Sequence, residues 1–254
     1  MCHARYFFAV LTDYAVSGIL DMLQTFLNGR YIMLTVKDKV IEIYGADKAR
    51  APLVVLNAVE NEGKIIFEKC REMSCPDFTI AVVSSLDWND DLSPWEMPAV
   101  FKGGDSFGGK AYDYLMLLTR EILPEILKTL AAPPEYTAIA GYSLAGLFAL
   151  YAAYKSNTFS RIASASGSMW FSHFTEFVTE CEFERRPDCV YLSLGDKESR
   201  TRNEIMKQVQ ANTQVIYEHI KAKGINSAFE LNSGNHFTEP ELRMAKGIRW
   251  ILSE

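Results

Sequence analysis

The stretch IAGYSLAGLFALYAAY (139–154) constrains the fold of this chain more than any other. Its first part completes YTAIAG (136–141), a short apolar run that reads as a strand. Its second part, LAGLFALYAAYKS (144–156), reads as a helix. A strand passing so directly into a helix must turn sharply, and Ser143 stands at the apex. Gly141 and Ala145 flank it, and only small side chains avoid collision there. A helix N-cap would account for the serine, but not for its small neighbours. On such a turn the hydroxyl projects from the carboxyl edge of a sheet. The Leu144 N–H, at the start of the helix, is then placed to receive an anion formed beside it. The sequence is G-Y-S-L-A, a mild departure from the nucleophile-elbow pattern G-x-S-x-G, with Gly146 one place later.

The rest of the chain supplies the context such a turn needs. APLVVLNA (51–58) and FTIAVVSSL (78–86) are continuous apolar runs rich in β-branched residues, as in strands covered on both faces. RIASAS (161–166), CVYLSLG (189–195) and SAFELNS (227–233) predict three more strands. Helices fit 61–73, 112–130 with Pro124 as a kink or restart, 201–223 and 239–252. Near the start, Asn28-Gly29 lies between two strand-like runs in 22–36 and predicts a hairpin, and KVIEIYG (39–45) predicts a further strand. The expectation is an α/β fold: a mostly parallel central sheet, antiparallel at its N-terminal entry, with helices on both faces. At 254 residues, one domain over 1–254 is expected, with 1–21 as a possible N-terminal extension.

A serine hydroxyl needs a base. Of the four histidines, His3 is terminal, His219 lies in a charged helical stretch, and His173 follows SGSMWF. His236 lies in a Gly/Asn/Ser loop between the last strand and the last helix, after the serine in chain order, and is the expected base. The acid that orients it should come from LGDKESR (194–200), the loop after the preceding strand. Glu198 is favoured there, with Asp196 as the alternative, since either carboxylate can serve.

The net charge of −6 argues against a nucleic-acid or anionic-membrane partner, which would need a basic face. No run reaches the roughly 18 apolar residues of a membrane span. Arg5 and the apolar stretch after it hint at a signal peptide, but Asp13 interrupts that stretch. The five cysteines are odd in number and form no CxxC pair. That argues against a disulfide framework or zinc site and fits reduced thiols in the cytoplasm. No metal or cofactor is expected, and nothing in the sequence fixes the oligomeric state.

Residues 84–114, SSLDWNDDLSPWEMPAVFKGGDSFGGKAYDY, form a long, glycine-rich, aromatic segment read as a substrate-shaping loop. Trp88 and Trp95 within it, with Trp170 and Tyr142 outside it, are the expected substrate-binding residues. The alternative for each tryptophan is packing beneath a loop. Arg200 and Arg202 are candidates to attract an anionic substrate, or else part of a solvated helix start.

GYSLAGLFALY, SASGSMWF, LSLGDKE and GNHF, in that order, with EILPEI (121–126) ahead of the elbow, resemble an α/β-hydrolase of the putative-esterase family, which includes esterase D and the enterochelin (siderophore) esterases. The resemblance covers most of the chain from about residue 22. It implies a second oxyanion donor from the loop after LVVLNA, where relatives commonly carry Asp-Gly and this chain has Asn57-Ala58. That donor is the N–H of Ala58 or of Val59. Relatives often place an arginine ahead of an acidic, proline-containing segment, near where Trp88 and Asn89 stand here. The expected activity is cleavage of small-molecule carboxylic esters through an acyl-enzyme on Ser143. The alternatives are acyl transfer on the same residues and a non-catalytic binding protein lacking one of them.

Overall fold

The structure, a computed structural model, describes residues 31–254 apart from 48 and 60. Among the described residues eight strands form one sheet: β1 (Tyr31–Val36), β2 (Lys39–Tyr44), β3 (Leu53–Asn57), β4 (Thr79–Ser84), β7 (Thr137–Tyr142), β8 (Arg161–Ala165), β9 (Cys189–Gly195) and β10 (Asn226–Asn232). Their order is β1-β2-β4-β3-β7-β8-β9-β10. β1 and β2 are antiparallel, β2 pairs antiparallel with β4, and every pairing from β4 to β10 is parallel. The small ribbon of β5 (Glu96–Met97) and β6 (Phe107–Gly108) lies apart from this sheet. This is the α/β-hydrolase arrangement expected from the sequence.

The first hairpin differs in detail. β1 turns into β2 through Lys37 and Asp38, with Lys37 at φ 54°. The strand expected at 30–36 therefore pairs with 39–44. The Asn28-Gly29 turn, the extension 1–21, Cys2 and His3 lie outside the described residues.

The helices are α1 (Glu62–Glu72), α2 (Trp88–Asp91), α3 (Ala111–Leu117), α4 (Leu123–Thr129), α5 (Leu144–Lys155), α6 (Phe174–Glu180), α7 (Val209–Ala222) and α8 (Pro240–Ser253). One wide π turn, Leu118–Ile122, joins α3 to α4 just ahead of Pro124, where the missing proline N–H breaks the regular ladder.

Alternate residues of the parallel strands feed two cores. Val55, Ile139 and Ile162 pack on one face, with Leu147 and Phe148 of α5. Val54, Ala138, Ala140 and Ala163 pack on the other, with Met244 and Ile248 of α8. Burial on both faces is why these strands read as unbroken apolar runs. In α5 every residue from Leu144 to Tyr154 is buried, so it lacks a polar stripe.

The register levels the strand ends that matter. Asn57 lies opposite Gly141, Tyr142 opposite Ala165, and Gly195 opposite Asn232. After β3 the chain goes to β4 on one side; after β7 it goes to β8 on the other. The reversal opens a crevice at the carboxyl ends of β3 and β7, where open α/β sheets bind ligands.

Candidate active site

Ser143 occupies the turn from β7 to α5 with φ 58° and ψ −123°. A non-glycine residue held at positive φ stores on the order of 1–3 kcal/mol of strain and persists only where its surroundings impose it. Here the Ser143 N–H donates to the Ala165 carbonyl at 3.1 Å, and its own carbonyl accepts the N–H groups of Gly146, Leu147 and Ser168. Gly141 makes room for the turn: a Cβ there would overlap the Ala145 carbonyl and lie 2.8 Å from the Gly146 nitrogen. Gly141→Ala is therefore expected to cost about 1–3 kcal/mol, as overpacked sites do. A lowered denaturant midpoint at unchanged slope checks this, and an unchanged midpoint contradicts the steric account.

The loop after β10 carries His236 over the serine. Its Nε2 is 3.0 Å from Ser143 Oγ, and its Nδ1 is 2.8 Å from Glu198 Oε2. The loop is fastened on several sides. Tyr142 Oη donates to the His236 carbonyl at 2.7 Å, and Asn235 Oδ1 accepts the Phe237 N–H at 2.9 Å. Asp196 Oδ1 accepts the Gly234 N–H at 2.8 Å. Of the two candidate acids, Glu198 thus meets the imidazole, while Asp196 pins the loop that bears it.

Glu198 is almost fully buried. Burial alone would raise its pKa, yet hydrogen bonds from His236, the Gly195 N–H and the Ser166 hydroxyl outweigh it and hold the carboxyl below its ordinary value. The Gly195 and Ser166 bonds, 2.6 and 2.7 Å, both reach Oε1. With Glu198 ionised, His236 Nδ1 carries the ring proton and Nε2 is free to accept the serine hydroxyl.

Arg243 was not legible as a site residue. Its side chain is 2% exposed beside Glu198. Nη1 lies 3.2 Å from Glu198 Oε1, 3.3 Å from Ser166 Oγ and 3.4 Å from Tyr142 Oη, and Nη2 donates to the Ser233 carbonyl at 2.9 Å. The available signal was a charged residue on the apolar stripe of α8, one turn ahead of Gly247 and Ile248. Ser166 and Ser168 of SASGSMWF also reach the site without a sequence signal of their own; Ser168 Oγ lies 3.5 Å from Ser143 Oγ.

The two candidates for the second donor separate. The Ala58 N–H is committed to the Val83 carbonyl at 3.1 Å, because the parallel ladder runs one residue past β3. Val59, exposed, lines a cavity with Ser143, His236 and Glu62. Asn57, just before, is buried and accepts the Tyr114 hydroxyl at 2.5 Å.

Two cavities meet at Ser143 and His236, of about 220 and 310 Å³. Trp88 and Phe237 line both, Tyr142 lines the smaller and Trp170 the larger. Trp95 does not join them. Its Nε1 donates to the Ser172 carbonyl at 3.0 Å and its ring packs on Phe171, Phe174 and Phe177, so it belongs to the core beneath the 84–114 segment. Arg200 and Arg202 are exposed and line neither cavity. Among the described residues no His/Cys/Asp/Glu cluster is arranged to hold a metal ion, and no helix is long and apolar enough to cross a membrane.

Comparison with known proteins places this geometry in context. A family model described as Putative esterase matches residues 62–240. Among curated proteins, the chain is 23% identical over 188 residues to the uncharacterized protein YbbA of Bacillus subtilis (strain 168), covering 71% of this chain and 75% of that one. Among solved structures it is similar to an IroE-like serine hydrolase from Shewanella oneidensis, with a TM-score of 0.70 at 16% identity, over 88% of this chain and 80% of that one. It is also similar to the siderophore hydrolase EstB from Aspergillus nidulans, with a TM-score of 0.66 at 16% identity, over 86% and 93% of the two chains.

Proposed function

From the premise that the chain belongs to the Putative esterase family, we propose that it is a serine hydrolase that cleaves carboxylic esters of small molecules, with Ser143, His236 and Glu198 as its catalytic triad. One observation carries the assignment of roles. The chain of contacts Ser143 Oγ–His236 Nε2 at 3.0 Å and His236 Nδ1–Glu198 Oε2 at 2.8 Å stands where two cavities meet. A non-catalytic reading requires a missing member, and none of the three is missing.

Ser143 Oγ attacks the ester carbonyl carbon as its proton passes to His236 Nε2. The carbonyl oxygen becomes an oxyanion between the N–H groups of Leu144 and Val59. Collapse of the intermediate expels the alcohol, which takes the proton from His236. Water then attacks the acyl-enzyme by the same route and releases the acid. Glu198 stays ionised throughout; it holds the tautomer and stabilises the imidazolium. We read the chain as one domain over 1–254 in which 84–114 shapes the substrate, because Trp88, Val100, Phe101 and Phe107 of that segment reach the larger cavity. The odd cysteine count, with Cys70, Cys75, Cys181 and Cys189 free, supports a cytoplasmic setting.

The test is to capture the acyl-enzyme. With a 4-nitrophenyl ester, a nitrophenolate burst and an acyl adduct on Ser143 after acid quench are expected, both absent from Ser143→Ala. Turnover without a burst or adduct would be compatible, deacylation being fast; turnover that persists in Ser143→Ala would overturn the assignment.

A pH expectation follows from Glu198. A carboxyl held below its ordinary value of 4.5 adds stability that is complete above that pH and is lost as pH falls through the lowered value. Thermal melting from pH 6 to pH 3 should therefore fall more steeply in the wild type than in Glu198→Gln. Parallel curves would mean that Glu198 is not held ionised by the fold.

A further inference from the structure

The two cavities differ in their walls. The larger, about 310 Å³, is aromatic: Trp88, Phe101, Phe107 and Trp170 line it, with Phe237 at the shared wall. The smaller, about 220 Å³, shares Trp88 and Phe237 and adds Tyr142, but carries the aliphatic side chains of Leu56, Val59, Ile66, Pro240 and Met244. Neither reaches far into the roughly 300–1,000 Å³ of a pocket that holds a whole drug-sized ligand. Together they fit the two halves of one ester whose carbonyl lies over Ser143.

Their charges are one-sided. Glu62 lines the smaller cavity and Asp105 the larger, and no Lys or Arg among the described residues lines either. Arg243, buried below, is engaged with Glu198 and Ser233. A carboxylate or phosphate on the substrate would lose its water there without finding a cation, and would face an acid instead. Two large aromatic side chains also stand exposed at the site: Phe101 is 58% and Phe237 85% exposed. Phe237 meets the His236 ring edge-on at 5.3 Å. Exposed aromatics gathered at one opening mark a surface that gains by being covered with an apolar, planar group.

We propose that the substrate is an uncharged ester joining an aromatic group, held in the larger cavity by Trp88, Phe101 and Trp170, to an aliphatic group held in the smaller cavity by Ile66 and Met244. The inference rests on Ser143 being the nucleophile, so the experiment tests the two separately. Matched esters differ only in a terminal carboxylate: phenyl hexanoate against monophenyl adipate, and hexyl benzoate against hexyl hydrogen terephthalate. Both orientations are used, whichever cavity takes the acyl half. Fluorophosphonate labelling of Ser143 is followed on the same preparation.

The expected kcat/KM for the better neutral ester exceeds that of its acidic counterpart by at least about tenfold, the cost of stripping water from an unpaired charge. Phe101→Ala, at an exposed position, should lower kcat/KM for that ester by about threefold to tenfold through lost aromatic contact. It should leave the dependence on aliphatic chain length unchanged. Acidic esters turned over as fast as neutral ones, with Ser143 labelled, would overturn the substrate class while leaving the nucleophile in place. An unaltered rate in Phe101→Ala would overturn the assignment of the aromatic cavity. Failure to label Ser143 would remove the nucleophile and the inference with it.

Discussion

Ser143→Ala is expected to lower kcat for ester hydrolysis by about 10⁵–10⁶, and His236→Ala by a similar factor. The double variant should fall no further than either single one. The reason lies in the geometry. The serine hydroxyl is activated only through His236 Nε2, 3.0 Å away, and the histidine acts on substrate only through the serine and the departing alcohol. Once either is gone, the other has nothing to do. What would remain is the contribution of the proposed oxyanion donors, the N–H groups of Leu144 and Val59, and of substrate binding, expected together still to exceed the uncatalysed rate. Neither substitution should unfold the protein, since both shorten side chains at the mouth of a cavity. Steady-state kinetics on the two single variants and the double variant check this. Additive losses would mean that the two residues act on separate steps.

The second large effect concerns Arg243. Replacing it with methionine keeps much of the volume and removes the charge. Glu198 then loses the guanidinium that reaches its Oε1, and the Ser233 carbonyl loses a donor. Removing one partner of a buried ion pair costs about 3–5 kcal/mol, because the remaining charge is left uncompensated. In a chain of this size that corresponds to a fall in Tm of roughly 6–20 °C. A cavity cannot explain such a loss, since methionine nearly fills the site. Glu198→Gln in the Arg243→Met background should recover part of it, because the glutamine carries no charge to strand. Thermal melting of the four proteins in this cycle measures the coupling. A Tm for Arg243→Met within a degree or two of the wild type would mean that the guanidinium does not balance Glu198.

The parts of the molecule that were legible in the sequence share a physical cause. The elbow could be read because steric demands at Ser143 exclude all but small neighbours, and Gly141 and Ala145 record that demand directly. The parallel strands could be read because burial on both faces leaves no polar position in Val54–Leu56 or Ile80–Val83. Chain order led to the loop of His236 and to the loop that holds both Glu198 and Asp196, once the strands were placed, but did not choose between the two acids.

What stayed hidden depends on contacts between distant segments. Trp95 and Trp88 sit seven residues apart in the same segment, yet Phe171, Phe174 and Phe177 of a distant stretch draw Trp95 into the core. Arg243 gains its partners from the end of β7 and from the segments that follow β8 and β9. The ladder that occupies the Ala58 N–H depends on which strand lies beside β3. The two-residue turn at Lys37 and Asp38 lacked the glycine that usually marks a hairpin, and Lys37 adopts positive φ without it.

The central claim is that His236 makes Ser143 a nucleophile. Labelling with a fluorophosphonate, read by peptide mass spectrometry, tests it most directly, because the reagent needs an activated serine and no knowledge of the substrate. Ser143 Oγ displaces fluoride from phosphorus as His236 takes its proton. One adduct is expected, on Ser143, absent from Ser143→Ala and formed far more slowly in a folded His236→Ala. An adduct on a different serine, or a Ser143 adduct formed at the same rate without His236, would contradict it.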